Sequence, residues 1–259
     1  MVPGDKPADA YKTVANAMIP LLPAELKWIA EHIDRSVTKR SVMTIPYNAT
    51  EDSSKTYIAD ALKDKFENTG IVVSKDEIKM LSKILREAMY QVAPAPLVVM
   101  KWIGDVMAEC IKDNNDVVSW VTPSGFVVDQ KRDKFTTKKI EAALMGRCQM
   151  RLIDVIKGPD VKKHRSSGAP NLIHSLDASL LHLAFKRFDA PFSVIHDSVL
   201  CRSTDMALLS TLVRETYMYL FAENDFLTDF ANQIGATEAP PIIGTLKPES
   251  VINSTYFFC

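Results

Sequence analysis

The sequence predicts a mixed α+β fold that is mainly helical. Apolar residues recur at helical spacing through most of the first two thirds of the chain. Alternating apolar runs bounded by turn residues, which indicate β-hairpins, are few and short. With 259 residues, 47% of them hydrophobic, the chain can bury a sizeable core. We therefore expect a larger helical part followed by a smaller α+β part.

Five predicted helices follow one another in the first part of the chain. Ile58, Leu62 and Phe66 are four residues apart and define the inward face of the third helix. Ser74 and Glu77 have the spacing of a capping box, which predicts the start of the fourth. The predicted helices cover residues 8–21, 23–44, 51–68, 74–92 and 97–112.

The later elements alternate between strand and helix. Two apolar runs on either side of turn residues 122–125 predict a β-hairpin near residues 117–130. Residues 138–156 fit a helix and a strand equally well. A helix is expected next, with Pro170 suited to its first turn. The last predicted elements are that helix over 172–188, a hairpin over 192–201 and a helix over 206–222 capped by Thr204 and Asp205.

Composition and charge restrict the class of protein. The net charge is −1, so no overall field favours a polyanionic partner, although basic runs at 131–139 and 162–165 leave local contacts open. The four cysteines are widely scattered without a CxxC pair, which favours a reducing compartment. We find neither a targeting pattern nor a membrane-length apolar run, and expect no membrane association.

A carboxylate at the turn of the second hairpin is the first candidate site. Burying Asp197 alone would cost several kcal/mol, so it needs a base, an N–H cluster or a metal ion as partner. A Ser–His–Asp relay is disfavoured because His196 and Asp197 are adjacent and would point oppositely in a strand. A His–Asp phosphohydrolase would have to use His174, Asp177 and His182 as further ligands. The remaining choice is a carboxylate that presents Mg²⁺ for phosphoryl transfer.

The stretch from Asp34 to Asn48 is the second candidate site. Arg35 and Lys39 are one helical turn apart, and Tyr47 falls about 80° further round the helix. Two cations and a phenol on one stripe could bind a triphosphate. The alternative is a solvated basic face on which Tyr47 merely packs. Pro46 should bend or end the helix near Thr44.

A polar stripe at the predicted helix 172–188 is the third candidate site. Asn171, His174 and Asp177 are each three residues apart on an otherwise apolar segment. A lone helical histidine is usually a satisfied core residue, whereas three polar groups on one face favour a functional site. Both interpretations stay open at this point.

Four stretches together resemble the single-subunit RNA polymerases of T-odd bacteriophages and mitochondria. They occur in that family's order, and the resemblance covers essentially the whole chain. It implies part of a right-hand polymerase fold, with fingers over 1–170 and a C-terminal palm segment and foot over 171–259. The four stretches are RSVTKRSVMTIPY at 35–47, WVTPSGF at 120–126, APNLIHSLDAS at 169–179 and VIHDS at 194–198.

The resemblance implies roles in nucleotidyl transfer for three residues. Asp197 would bind the catalytic Mg²⁺ ions, which activate the 3′-hydroxyl and stabilise the pyrophosphate. Lys39 would contact the phosphates and could donate a proton to the leaving pyrophosphate. Arg35 would bind the triphosphate. Phosphoryl transfer needs positioning and cations rather than a protein nucleophile, which agrees with this set.

The same resemblance implies substrate-binding roles for three more. Tyr47 would lie beside the incoming sugar and base, His174 would support the primer end and the substrate, and His196 would orient the carboxylate region. Asn48 departs from the family, which usually has glycine after the tyrosine. Its side chain could crowd the template base, although asparagine tolerates a left-handed backbone.

A further departure concerns the family's first metal-binding aspartate. In the family that residue lies upstream of the finger helix, and residues 2–4 resemble sequence just downstream of it. We therefore expect the chain alone not to polymerise RNA, and a separate N-terminal polymerase chain to supply this aspartate. The alternative is an inactive truncated remnant that acts at most as a nucleic-acid-binding module. A DNA polymerase is disfavoured because such enzymes usually have glutamate where Ser198 stands.

The resemblance also implies partners and a location. The partners would be a DNA template, nucleoside triphosphates and the RNA product, with Mg²⁺ as cofactor. The expected setting is viral transcription by a bacteriophage protein in the cytoplasm of the infected host, in preference to a mitochondrial one.

Overall fold

The computed structural model describes residues 8–112, 116–142, 148–196, 198–242, 244 and 246–256. Within these ranges the chain forms eight α-helices and three two-stranded antiparallel hairpins, joined by short 3₁₀ segments. The prediction of a mainly helical α+β fold is confirmed. No helix in these ranges is both long and apolar enough to span a bilayer.

The first four helices surround one hydrophobic core. They are α1 (Ala10–Met18), α2 (Arg35–Thr44), α3 (Glu51–Phe66) and α4 (Lys75–Val92). The inward face predicted for α3 is confirmed, since Ile58, Leu62 and Phe66 are all buried. The capping box of α4 is also confirmed: the Ser74 N–H donates to Glu77 Oε2 at 2.7 Å, and the Glu77 N–H donates to Ser74 Oγ at 3.3 Å.

The single helix expected over residues 23–44 is wrong. A 3₁₀ segment, Ala24–His32, precedes α2, and Asp34 between them has an extended backbone with φ −134° and ψ −169°. The Asp34 carboxylate accepts hydrogen bonds from the N–H groups of Ser36 and Val37. A side chain that caps a new helix in this way competes with continuation of the preceding one.

Two further helices cross closely in the second core. They are α5 (Pro94–Lys112) and α6 (Val161–Phe185). A Cβ at Gly104 would lie 3.2 Å from the Arg165 carbonyl oxygen, and one at Gly168 would lie 2.5 Å from Met107 Sδ. The two helices can approach this closely because neither glycine carries a side chain.

Helix α6 begins eleven residues earlier than the predicted start at 172. Pro170 therefore lies inside the helix and not in its first turn, contrary to prediction. Proline has no N–H, so the Ser166 carbonyl four residues earlier receives no helical hydrogen bond from it. The Asn48 side chain donates to this carbonyl at 2.7 Å. The boundary proposed near residue 170 also falls within α6.

The first hairpin is confirmed. It consists of β1 (Val118–Val121) and β2 (Val127–Gln130), and Gly125 in its turn has φ +82°. The Trp120 side chain is buried in the second core, and its Nε1–H donates to Ser175 Oγ of α6 at 3.0 Å. This hairpin is therefore fixed to α6.

Of the ambiguous residues 138–156, those that the structure describes, 138–142 and 148–156, form strands. They belong to a long hairpin of β3 (Asp133–Ala142) and β4 (Cys148–Pro159), which has register shifts near Phe135 and Thr136. Nearly all of its described side chains are exposed. A third hairpin, β5 (Phe192–Ile195) and β6 (Ser198–Cys201), pairs Ile195 with Ser198, as expected for a two-residue turn.

The chain continues through α7 (Met206–Met218), a π-helical turn (Tyr219–Glu223) and α8 (Phe226–Ile234). Asp205 does not cap α7 with its side chain, contrary to prediction, because that carboxylate accepts from Arg202 Nε at 2.7 Å. The Arg214 guanidinium of α7 donates to the carbonyls of Val251 and Ser254, which follow α8 in the chain. It thereby attaches the end of the described chain to α7.

We predict that Gly168→Ala destabilises the protein. The new methyl group would overlap the buried Met107 side chain, and overpacking costs about 1–3 kcal/mol. The gain in helix propensity, up to about 1 kcal/mol, offsets only part of this cost. Urea unfolding measures the change. Ser166→Ala, two residues away and exposed, should shift the free energy of unfolding by no more than about 0.5 kcal/mol.

We predict that Asp34→Ala lowers stability in a pH-dependent manner. Partial burial acts to raise the pKa of Asp34, but hydrogen bonds from Lys65 and Ser36 outweigh it and lower the pKa to about 2. The ionised carboxylate therefore stabilises the fold above about pH 4, and this contribution is lost as the pH falls toward 2. The loss at pH 7 should be about 1 kcal/mol, the usual value for a helix cap.

Urea unfolding between pH 7 and pH 3 would measure this difference. Asp34→Asn keeps a capping oxygen but loses the ion pair with Lys65, in which the two atoms are 2.7 Å apart. It should be less destabilising than Asp34→Ala. A gap between wild type and Asp34→Ala that does not narrow on acidification would contradict the prediction.

Candidate functional site

Lys39 is an exposed cation in the middle of α2. It makes neither a hydrogen bond nor an ion pair with any residue in the described part of the chain. The neighbouring Arg40 differs, since its guanidinium lies 3.3 Å from Asp60 Oδ2 and 4.5 Å from the centre of the Tyr57 ring. Of these two cations, Lys39 is the one available to an anionic ligand.

Arg35, at the first turn of α2, already has a carboxylate partner. Its Nε donates to Asp9 Oδ2 at 2.9 Å, and its guanidinium lies 5.1 Å from the centre of the Tyr11 ring. The hydrogen bond from the Lys12 N–H and then the nearby Arg35 charge lower the pKa of Asp9, so Asp9 is ionised at neutral pH. The Arg35 side chain is still 52% exposed, which leaves its outer N–H groups accessible.

Tyr47 and His174 are brought together. Helix α2 ends at Thr44, as Pro46 predicted, and a 3₁₀ turn, Ile45–Tyr47, carries the phenol toward α6. The Tyr47 and His174 rings are stacked, with centroids 4.8 Å apart and planes 6° from parallel. Two side chains that lie 127 positions apart in sequence thus form one aromatic surface, and both are partly exposed.

The turn after Tyr47 has a left-handed residue. Asn48 has φ +63° and ψ +28°. Its N–H donates to the Ile45 carbonyl and the Ala49 N–H donates to the Thr44 carbonyl, both at 3.0 Å, as in a Schellman motif. Glycine is usual at this position, and asparagine is the common substitute. The Asn48 side chain bonds to Ser166 of α6.

The polar stripe predicted on α6 divides into two environments. His174 and Asp177 are exposed, and His174 Nδ1 lies 4.0 Å from Asp177 Oδ2. Asn171 faces inward instead, and its Nδ2 donates to Gln130 Oε1 at 2.7 Å. His182, two turns beyond His174, lies 3.2 Å from Ser124 Oγ of the first hairpin.

The inward partner of Asn171 belongs to a buried network that sequence analysis did not identify. His164 is fully buried, and burial lowers its pKa, so the imidazole is neutral at pH 7. Its Nε2 accepts from the Arg132 N–H at 3.1 Å, and its Nδ1 is 3.2 Å from the Gln130 amide. Local spacing could not have indicated this network, because Gln130 ends β2 and Arg132 precedes β3. The remaining members, His164 and Asn171, lie in α6.

His196 occupies the turn of the third hairpin. Its backbone is left-handed, with φ +56°, and its side chain is exposed. Together with Ala178 and His182 of α6, it lines a cavity of about 410 Å³ between α6 and β5. These α6 residues follow His174 by one and two turns, so the hairpin turn lies along the helix that carries His174.

Asp197, the proposed metal ligand, lies outside the described residues. Among the described residues, no group of three or more histidine, cysteine, aspartate or glutamate side chains is arranged to bind a metal ion. The structure therefore gathers Tyr47, His174 and His196 along α6, while the metal-binding prediction stays a prediction.

Comparison with known proteins identifies relatives in plant organelles. DNA-directed RNA polymerase 2, chloroplastic/mitochondrial, of Arabidopsis thaliana is 26% identical over 279 residues, which cover 100% of this chain and 27% of the relative. DNA-directed RNA polymerase 3, chloroplastic, of Nicotiana sylvestris is 27% identical and is covered to 28%. DNA-directed RNA polymerase 2A of Nicotiana tabacum is 26% identical and is covered to 83%.

These relatives correct the expected setting. The prediction of a bacteriophage protein in the host cytoplasm is wrong, because the relatives named by compartment are chloroplastic or mitochondrial. The chain spans about a quarter of the length of the first two relatives. A family model described as DNA-dependent RNA polymerase matches residues 1–240. Since that match covers most of the length of this chain, the chain belongs to the single-subunit DNA-dependent RNA polymerase family.

Proposed function

We propose that the chain provides the nucleotide-binding surface and one catalytic carboxylate of an RNA polymerase that copies a DNA template. The observation that carries the proposal is the stack of Tyr47 on His174. It joins the turn after α2 to α6 in one exposed aromatic surface, against which a sugar and base can pack. The organellar relatives favour a chloroplast or mitochondrial transcription system.

The phosphates would extend from this surface toward the cations of α2. Lys39 is separated from Tyr47 only by the end of α2 and the 3₁₀ turn, which suits one ligand that contacts both. Its ammonium group, unpaired among the described residues, would contact the phosphates and could protonate the leaving pyrophosphate. Arg35 would contribute its exposed N–H groups while Asp9 continues to orient it.

Mg²⁺ is proposed as the cofactor, with Asp197 as its ligand and His196 beside it in the turn. Magnesium binds one or two carboxylates together with substrate phosphates, and it stabilises both the attacking and the leaving oxygen. Two ions carry four positive charges, which Asp197 alone would balance poorly. A further carboxylate would come from polypeptide outside these 259 residues, either contiguous with them or separate.

The exposure of the third hairpin favours the presence of this additional polypeptide. Its described residues expose large apolar side chains on both strands, with Ile195 61% and Leu200 62% accessible. An isolated two-stranded hairpin is marginally stable, and its unpaired edges can accept further strands. We propose that the N-terminal part of the polymerase pairs with this hairpin and supplies the remaining carboxylate.

The second hairpin is the proposed contact with the template. A two-stranded ribbon fits the major groove of DNA, and cations that approach phosphates supply most of the sequence-independent affinity. On one face, Lys139 pairs with Arg151 across the strands. In the described residues from 131 to 159, cations outnumber acids; the cations are Lys131, Arg132, Lys134, Lys138, Lys139, Arg151 and Lys157.

This basic ribbon also fits the alternative function. An inactive remnant could bind nucleic acid through it without catalysing transfer. The two functions differ in a direct assay of transcription from duplex DNA with nucleoside triphosphates and Mg²⁺. The sample is the full polypeptide, or this chain mixed with the polypeptide encoded upstream of it. Salt-dependent DNA binding without any transcript would favour the alternative.

We predict that Lys39→Met reduces nucleotidyl transfer by about 100-fold or more, the range for loss of a general acid. Single-turnover extension of an annealed primer measures the rate. Lys39→Arg should retain more activity because it keeps the positive charge. Arg40→Met is the matched control: it removes a neighbouring cation that pairs with Asp60, and it should leave the rate nearly unchanged.

We predict that Asp197→Asn reduces transcript yield to background, because a neutral amide cannot replace a carboxylate on Mg²⁺. Run-off transcription over a range of Mg²⁺ concentrations measures the effect. Asp189→Asn, an exposed acid in the loop before β5, is the control and should remain active. An active Asp197→Asn polymerase would exclude the proposed metal role.

A further inference from the structure

We infer that Asn48 is a positioning residue that locks the turn carrying Tyr47 onto α6. The lock is the hydrogen bond from Asn48 Nδ2 to the Ser166 carbonyl, 2.7 Å long. It acts on the nucleotide site through Tyr47, the residue immediately before it. The inference concerns a position where the family usually has glycine, which could not make this bond.

The acceptor exists because of Pro170. In an uninterrupted helix, the N–H of residue 170 would donate to the Ser166 carbonyl. Proline removes that donor, which leaves the Ser166 carbonyl able to accept a hydrogen bond from another part of the chain. The Asn48 amide supplies the missing donor from another part of the chain. The Ser166 carbonyl of α6 thus becomes the acceptor for the Asn48 side chain.

The donor is suited to its position for two reasons. Asn48 must adopt a left-handed backbone to end the turn, and asparagine does so at lower cost than most residues other than glycine. It also carries an amide with two N–H donors, which glycine and aspartate lack in their side chains. On the other side of the turn, Arg86 Nη1 donates to the Ala49 carbonyl at 3.1 Å.

Two contacts on α6 define the orientation of the turn. Asn48 bonds at residue 166 and Tyr47 stacks on residue 174, which are eight residues apart, or about 12 Å along the helix. Ile45 of the same turn is buried, and these two contacts add to that packing. With both, the Tyr47 ring is held parallel to the His174 ring. Loss of the Asn48 bond should therefore weaken the stack.

The stack can be observed in the chain without any assay of activity. Asn48→Gly keeps the left-handed turn and removes the amide, whereas Asn48→Asp keeps the size but has no N–H to donate. A proton of His174 that lies over the Tyr47 ring is shielded by the ring current. In histidine-labelled NMR spectra, both variants should move the His174 Hε1 resonance downfield, toward its position in Tyr47→Leu.

Control variants distinguish loss of the Asn48 hydrogen bond from a general disturbance of the fold. Ser166→Ala keeps the accepting carbonyl and should leave the His174 resonance unchanged. His174→Gln identifies that resonance by its loss. If Asn48→Gly and Asn48→Asp leave it at the wild-type position while Tyr47→Leu moves it, Asn48 does not hold the stack and the inference is overturned.

The kinetic consequence rests on the proposed function. In the complete polymerase, Asn48→Gly should raise KM for the nucleotide by about 3- to 10-fold, the factor for one ordinary hydrogen bond, with a smaller change in kcat. A shifted His174 resonance with an unchanged KM would count against the proposed nucleotide site and leave the lock intact. An unshifted resonance overturns the lock whatever the kinetics.

Discussion

The close crossing of α5 and α6 is the constraint on which the rest of the site depends. Gly104 and Gly168 leave room for Arg165 and Met107 of the opposite helix to pack against them, and this contact fixes α6 in the second core. Three other elements then take their positions from α6. The turn after α2 contacts residues 166 and 174, the first hairpin bonds to Ser175, and the third hairpin borders a shared cavity.

The polar groups inside the fold find partners far away in sequence. His164 stays neutral because it is buried, and it is satisfied by the Gln130 amide and the Arg132 backbone. The nearby charges of Asp133 and Asp160 act to raise the pKa of His164, but burial outweighs them. The network joins the end of the first hairpin to the start of α6. It allows the exposed ribbon that follows to emerge from a rigid base.

Sequence patterns correctly predicted features that depend on neighbouring residues, such as helix starts and ends. They did not predict contacts between residues that lie far apart in sequence. The capping box at Ser74 and the break after Thr44 needed only neighbouring residues. Pro170 was misplaced because its lost hydrogen bond is replaced by a residue 118 positions away. At the site, spacing selected Tyr47 and His174 as candidates but could not show that their rings stack. It also could not show that Asp9 pairs with Arg35, since their contact depends on how α1 packs beside α2.

The attachment of the last described segment has a consequence for how the chain can vary. Arg214 grips the carbonyls of residues 251 and 254, which every amino acid possesses, and so it recognises main chain rather than side chains. Exposed positions of that segment can therefore change without loss of this contact, whereas Val251 is fully buried and holds the segment through its side chain as well. Replacement of Arg214 would remove both hydrogen bonds at once, because both come from the same nitrogen, Nη1.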